Sequence, residues 1–241
     1  MKNLNLKTYL LYAIYIVRTH PAILLFLAIV GLLNGFAVFF PQSGFADLIS
    51  SFSIISAIFI TPVLYGIYYE IIENRYSSIT TIFRTYVGGY LLVLFCMYIP
   101  IILTTAVLMS TTQAVGNTAS VMLTILMFSM VFIYVIPAYF ISGKIWDSII
   151  YGVRFFFLNI AASAPVLLMA LLSELLVLLS HFKLSALREF SPVLFVILDF
   201  SLYMTASIID FLLFIMLIYV LNGQKDIQKR HPSSQKDITE S

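Results

Sequence analysis

Six long apolar runs dominate the sequence and constrain its fold more than any other feature. A helix needs about 20 apolar residues to cross the hydrocarbon core of a bilayer, which is about 30 Å thick. The runs approach or exceed that length, and they are continuous rather than alternating in polarity, so they predict helices and not the strands of a barrel. The six predicted spans are about 22–40, 47–70, 87–109, 121–141, 158–179 and 193–221.

The overall composition excludes a soluble domain. The chain is 61% hydrophobic and 10% charged, whereas soluble domains are about 45–50% apolar and about 25% charged. Backbone polar groups in lipid must bond internally, which helices achieve. We therefore predict an all-α, polytopic membrane protein in which residues 1–222 form a single domain. Residues 223–241 are rich in Lys, Gln, Asp and Ser, and we expect a disordered cytoplasmic tail there.

The distribution of lysine and arginine predicts the orientation of these spans. Only Lys183 and Arg188 lie on one side of the predicted membrane. Cytoplasmic loops carry an excess of Lys and Arg, so we expect both termini in the cytoplasm and the chain in the cytoplasmic (inner) membrane. The eleven basic residues on the other side are Lys2, Lys7, Arg18, Arg75, Arg84, Lys144, Arg154, Lys225, Lys229, Arg230 and Lys236.

Three arginines indicate an internal repeat. Arg18, Arg84 and Arg154 each follow a partly polar run and precede a long apolar segment. This pattern predicts a helix on the cytoplasmic membrane surface, followed by a hairpin of two spans. The three units cover about 4–70, 74–142 and 143–221, and they are parallel rather than inverted repeats. Alternatively, the positive-inside rule alone places basic residues before every odd-numbered span.

The same arginines have two interpretations. In the first, they set the topology and anchor the chain by extending their side chains to the headgroups. In the second, the three guanidinium groups contact lipid headgroups and together bind a lipid phosphate, which suits their planar, forked donors. Under either interpretation membrane lipids are the expected partners of Arg18, Arg84 and Arg154.

Three acidic residues lie inside predicted spans and away from the span ends: Glu174, Asp199 and Asp210. Charged side chains are costly in hydrocarbon and mark candidate functional sites. Glu174 and Asp199 have similar predicted depths, and Asp210 returns to nearly the same helix face as Asp199 because successive residues turn by about 100°. No lysine or arginine lies in any predicted span. The acids either hydrogen-bond across helices or line a wet cavity that holds a proton or a cation.

Recognisable catalytic motifs are absent from the sequence. It contains no glycine-rich phosphate loop, HExxH, GxSxG or cysteine pair. The single cysteine excludes an intramolecular disulfide, and the three histidines fall on both sides of the predicted membrane. We therefore expect no enzymatic activity, no catalytic residue, no metal, no cofactor and no nucleic-acid partner.

Two short motifs and two basic-aromatic segments carry a resemblance to a known group. The motifs are TPVLYG at residues 61–66 and IPAY at 136–139, and the segments surround Arg84 and Arg154. The layout resembles a broad group of uncharacterised prokaryotic six-helix membrane proteins, which is similar to the membrane domain of some glycerophosphodiester phosphodiesterases. The resemblance implies the six-helix architecture. It implies no phosphodiesterase activity, because the sequence contains no phosphodiesterase domain.

The expected function is a non-enzymatic role in transport or lipid handling, with the intramembrane acids as a proton or cation site. The alternative is a scaffold, or a partner subunit of a larger membrane complex, without a transport role. In that case the acids only connect helices.

Overall fold

The protein is described from a computed structural model, which covers residues 6–37, 44–111, 117–182 and 191–230. Every regular element in these ranges is a helix, which confirms the all-α prediction. A π-helical segment, Phe83–Val87, joins α4 to α5. The helices are α1 (Leu6–Thr19), α2 (Ala22–Ala37), α3 (Gly44–Ile72), α4 (Ile79–Ile82), α5 (Gly88–Thr111), α6 (Asn117–Val131), α7 (Val135–Ser142), α8 (Ile145–Leu158), α9 (Ala164–Phe182) and α10 (Pro192–Arg230).

Several of these helices are long and apolar enough to cross a membrane. Within the described ranges, three stretches meet that condition: Ile79–Val107, Leu123–Ser142 and Pro192–Gly223. The α1–α2 pair adds a fourth if its two arms, bent by 74°, form one span. Two shorter apolar stretches, Ile58–Ile72 and Ala164–Leu176, belong to α3 and α9. These lengths and compositions are compatible with a membrane protein.

The long helix α10 forms the centre of the fold. It packs against α9, α1, α2, α7 and α3. Most of its side chains between Phe211 and Leu221 are buried. This stretch is apolar on all sides, as helices of a protein core or of a membrane span are. Its contacts with five other helices place α10 at the centre.

The fourth predicted span, 121–141, consists of two helices. The break falls at Phe132–Tyr134, between α6 and α7, where the Val135 amide donates to the Phe132 carbonyl (2.9 Å). Pro137 explains the break, because proline has no N–H and its ring clashes with the carbonyl four residues earlier, here that of Ile133. Gly143, with φ at +67°, ends α7 in a left-handed conformation.

Two of the three predicted surface segments are separate helices, α1 and α8. The second segment, which was predicted at 77–86 and contains Arg84, differs. Ser78 caps it, accepting from the Thr81 amide (3.2 Å), and the chain then continues through the π segment into α5 without leaving the helix. Proline interrupts the first segment at Pro21, whereas nothing comparable interrupts 77–88. The second unit of the predicted repeat therefore differs from the other two.

Two predicted boundaries differ from the structure. The fifth span was predicted to begin at residue 158, but 159–163 form a turn in which the Ser163 amide donates to the Asn159 carbonyl (2.9 Å), and α9 begins at Ala164. A disordered tail was predicted from residue 223, whereas α10 continues through 223–230. The Asn222 side chain, bonded to Glu73 Oε1 (3.1 Å), stabilises this end of the helix. The rest of the predicted tail, 231–241, lies outside the described residues.

Candidate functional site

A cavity of about 450 Å³ lies between α3, α5, α6, α7, α9 and α10. Most of its lining is apolar, and two carboxylates, Glu174 and Asp210, face it together. Lysine, arginine and histidine are absent from the lining residues that the structure describes. Such a lining favours a positively charged or neutral occupant over an anion. The other polar lining residues are Tyr65, Tyr90, Tyr98 and Ser129.

A serine from the neighbouring helix holds Asp210. The Ser173 hydroxyl donates to Asp210 Oδ1 (2.6 Å) and also lies 3.2 Å from the Ala206 carbonyl oxygen. Ser173 is only 3% exposed, so this contact belongs to the packed interface of α9 and α10. Asp210 itself is exposed, because it borders the cavity. Its position is therefore fixed on one side and open on the other.

Glu174 follows Ser173 on α9 and is half-buried. Ser173 thus hydrogen-bonds to Asp210, and Glu174 places a second carboxylate at the same cavity. Two acidic side chains from two packed helices share one cavity without a basic partner among its described lining residues. This arrangement can hold a proton or a cation, whose charge would offset the cost of two carboxylates in an apolar setting.

Asp199 is not part of this arrangement. It is half-buried on α10 and is not among the residues that line the cavity. Eleven residues separate it from Asp210, about 16 Å along a helix. Glu174 and Asp199 were predicted to lie at similar depths, but the structure places Glu174 at the cavity with Asp210. The Ser173 contacts with Ala206 and Asp210 set the register of α9 on α10 and explain the difference.

The three arginines of the predicted repeat are all exposed. Arg18 lies in the last turn of α1, Arg84 in the π segment and Arg154 on α8. None of them forms an ion pair with another described residue. Their placement leaves both interpretations open, and their contact with lipid headgroups stays a prediction.

Sequence reasoning missed the tyrosines of the cavity. Tyr90 is 6% exposed, and its hydroxyl has no hydrogen-bond partner among the described residues. The signal that could have identified it is the spacing on α5, where Tyr90, Leu94, Met97 and Ile101 follow at intervals of three or four residues and all line the cavity. Tyr65 lies in the TPVLYG motif, to which no site had been assigned.

A second polar cluster has a structural explanation. Glu70, near the end of α3, is buried. Its carboxylate accepts hydrogen bonds from the Tyr86 hydroxyl (3.0 Å) and from Ser77 Oγ (2.9 Å). A buried charge needs such partners. The cluster joins α3 to the segment that leads into α5.

The described residues contain no group of three or more His, Cys, Asp or Glu side chains that could hold a metal ion. The comparisons with known proteins also give no assignment. No family model matches the chain, and neither a curated protein nor a solved structure matches it. The resemblance to the six-helix group stays a prediction, and the function must be argued from the cavity.

Proposed function

We propose that the protein is an integral membrane protein that uses Glu174 and Asp210 to bind a proton or a cation during transport or lipid handling. The observation that supports this proposal is the shared cavity, which two carboxylates from α9 and α10 line without a basic side chain among the described lining residues. Acids inside an apolar bundle are costly, and they commonly belong to ion or proton pathways.

The accompanying topology has six spans in three hairpins, with both termini in the cytoplasm and α1 and α8 on the membrane surface. The charge distribution supports it, since eleven basic residues fall on one predicted side and two on the other. Arg18, Arg84 and Arg154 contact lipid headgroups in this arrangement, which their exposure supports. The role is non-enzymatic and uses no cofactor.

Proton permeation in proteoliposomes tests the proposal. Liposomes that contain a trapped pH-sensitive dye are given a potassium gradient with valinomycin, and the internal pH is followed. We expect acidification faster than in protein-free liposomes, and we expect Asp210→Asn to reduce it to the protein-free rate. Asp199→Asn serves as the control, because it removes an acid of the same helix outside the cavity, and it should conduct like the unmodified protein.

Unchanged acidification in the Asp210→Asn variant would contradict the proposal. If liposomes with Asp210→Asn and with the unmodified protein acidify at the same rate, Asp210 does not carry protons. Replacing the potassium gradient with a sodium gradient, with a sodium-sensitive dye inside, then tests for an inorganic cation. If Asp210→Asn and the unmodified protein give equal rates in both the proton and the sodium experiments, a proton or cation pathway through Asp210 is excluded.

The second candidate function is a scaffold or a partner subunit of a larger membrane complex. The hydrogen bond from Ser173 to Asp210 favours it, because this bond connects α9 to α10 directly. If the protein is such a scaffold or subunit, Asp210→Ala should lower the melting temperature. Proton flux through this variant and through the unmodified protein should then not exceed that of protein-free liposomes.

A further inference from the structure

The size of the cavity suits an organic molecule better than a bare metal ion. Its volume of about 450 Å³ falls in the range of small-molecule pockets, about 300–1,000 Å³. Divalent cations such as Ca²⁺ take about 6–8 oxygen ligands. The lining of this cavity is instead mostly apolar and includes Leu94, Met97 and Ile133.

Tyr90 offers an independent indication that the cavity binds a ligand. Its side chain is nine-tenths buried and lines the cavity. Its hydroxyl has no hydrogen-bond partner in the described part of the chain. Because Tyr90 lines the cavity, this hydroxyl is available to a polar group of a bound ligand.

Aromatic rings stand close together at the same place. The ring centroids of Tyr65 and Phe214 are 4.2 Å apart, and those of Tyr65 and Tyr90 are 6.2 Å apart. All three residues line the cavity, as do Glu174 and Asp210. Aromatic faces attract cations, and quaternary ammonium groups are often recognised by such rings. Carboxylates and rings together therefore favour a positive group, and the aliphatic lining favours an apolar body.

We propose that the cavity binds an amphipathic organic cation, an amine or quaternary ammonium group joined to an apolar body. Its charge lies beside Asp210 and Glu174, and its apolar part packs against the aliphatic side chains of α5 and α6. This inference rests on the proposed function, since it names the chemical class of the cation that the site would take.

The probe for this proposal is radiolabelled benzyltrimethylammonium, whose charge does not depend on pH. Its binding to the full-length protein in lipid nanodiscs is measured by equilibrium dialysis, and protein-free nanodiscs correct for partition into lipid. Neopentylbenzene serves as the matched competitor, because it replaces the nitrogen by a neutral carbon. We expect saturable binding that the neutral isostere displaces at least tenfold less well than the unlabelled cation, and that sodium at the same concentration does not displace.

The variants locate the binding site. Asp210→Asn and Glu174→Gln should each weaken binding at least tenfold, whereas Asp199→Asn should bind like the unmodified protein. Glu174→Gln leaves the bond between Ser173 and Asp210 in place, so it tests the charge even if Asp210→Asn does not fold. Tyr90→Phe keeps the ring and should weaken binding only several-fold.

Three results would overturn the inference: no saturable binding above protein-free nanodiscs, equal displacement by the neutral isostere, or unchanged affinity in Glu174→Gln with an unchanged melting temperature. The proposed function fails separately. If proton flux depends on Asp210 but the probe does not bind, only the organic-cation proposal is contradicted. If the probe binds but no flux is measured, only the proposed transport role is contradicted.

Discussion

At the scale of single residues, buried hydroxyl groups differ in whether they have a partner. Tyr134 is 2% exposed, and its hydroxyl lies 2.6 Å from Ser163 Oγ. Tyr68 is fully buried, and its hydroxyl has no hydrogen-bond partner in the described part of the chain. A buried polar group without a partner reduces stability, whereas a satisfied one contributes to it. Tyr134 and Tyr68 therefore allow a satisfied buried hydroxyl to be compared with an unsatisfied one.

Removing each hydroxyl should have opposite consequences. Tyr134→Phe leaves Ser163 without this partner, and we expect it to reduce the free energy of unfolding by about 1 kcal/mol. Tyr68→Phe removes an unsatisfied group, so the stability should stay the same or rise. Thermal melting of both purified variants in one detergent measures the difference. A lower melting temperature for Tyr68→Phe than for Tyr134→Phe would contradict this account.

At the scale of helices, α8 packs unusually close to the start of α7. A Cβ atom placed on Gly152 would lie 2.7 Å from the Val135 Cα and 2.8 Å from the Val135 nitrogen. Real side chains do not approach a backbone that closely, so only glycine permits this contact. The packing of α8 on α7 depends on this position.

Gly152→Ala should therefore destabilise the protein. In an open helix the change from glycine to alanine is favourable by about 1 kcal/mol, but overpacking costs about 1–3 kcal/mol, and here the backbone itself must shift. Gly88→Ala is the control, since a Cβ there meets nothing within 4 Å. We expect the melting temperature to fall for Gly152→Ala and to stay or rise for Gly88→Ala. A fall of equal size in both would show that close packing is not the cause.

The surface position proposed for α8 also has a direct test. Trp146 is the only tryptophan of the chain and is 68% exposed on α8. Tryptophan prefers the headgroup level of a bilayer. Its fluorescence in nanodiscs should be quenched more strongly by lipids with a spin label near the headgroup than by lipids with the label near the chain end. Stronger quenching by the deep label would place α8 in the hydrocarbon instead.

At the scale of the whole molecule, the other helices are arranged around α10. The first and last helices meet there, where the rings of Tyr9 and Tyr219 stack with centroids 6.1 Å apart. Asn222 is bonded to Glu73 at the end of α3. These contacts hold α1 and the end of α3 against the part of α10 around Tyr219 and Asn222, on the side that we propose to be cytoplasmic.

Single-cysteine labelling tests this orientation. Cys96 is the only cysteine, so Cys96→Ala provides a background for Ser185→Cys, in the loop after the fifth predicted span, and for Ser234→Cys, in the tail. A membrane-impermeant maleimide should label Ser185→Cys on intact cells and Ser234→Cys only in inside-out vesicles. Labelling of Ser234→Cys on intact cells would reverse the proposed orientation.

The sequence by itself determined the helical class of the protein, its apolar segments and several helix ends. These properties depend on neighbouring residues: the length of an apolar run, a proline such as Pro21, or a polar turn. The same local reasoning identified Glu174 and Asp210 as unusual, because charge in an apolar run is visible without a fold. The same local reasoning did not predict the break before α7, although Pro137 in the sequence indicates it.

Only the tertiary structure decided which polar groups meet. The contacts of Ser173 with Ala206 and Asp210 set how far α9 slides along α10, and this register places Glu174 at the cavity while leaving Asp199 apart. Tyr65 and Tyr90 join the site from two other helices. Such a register results from close packing between residues far apart in the chain, so no local pattern could specify it.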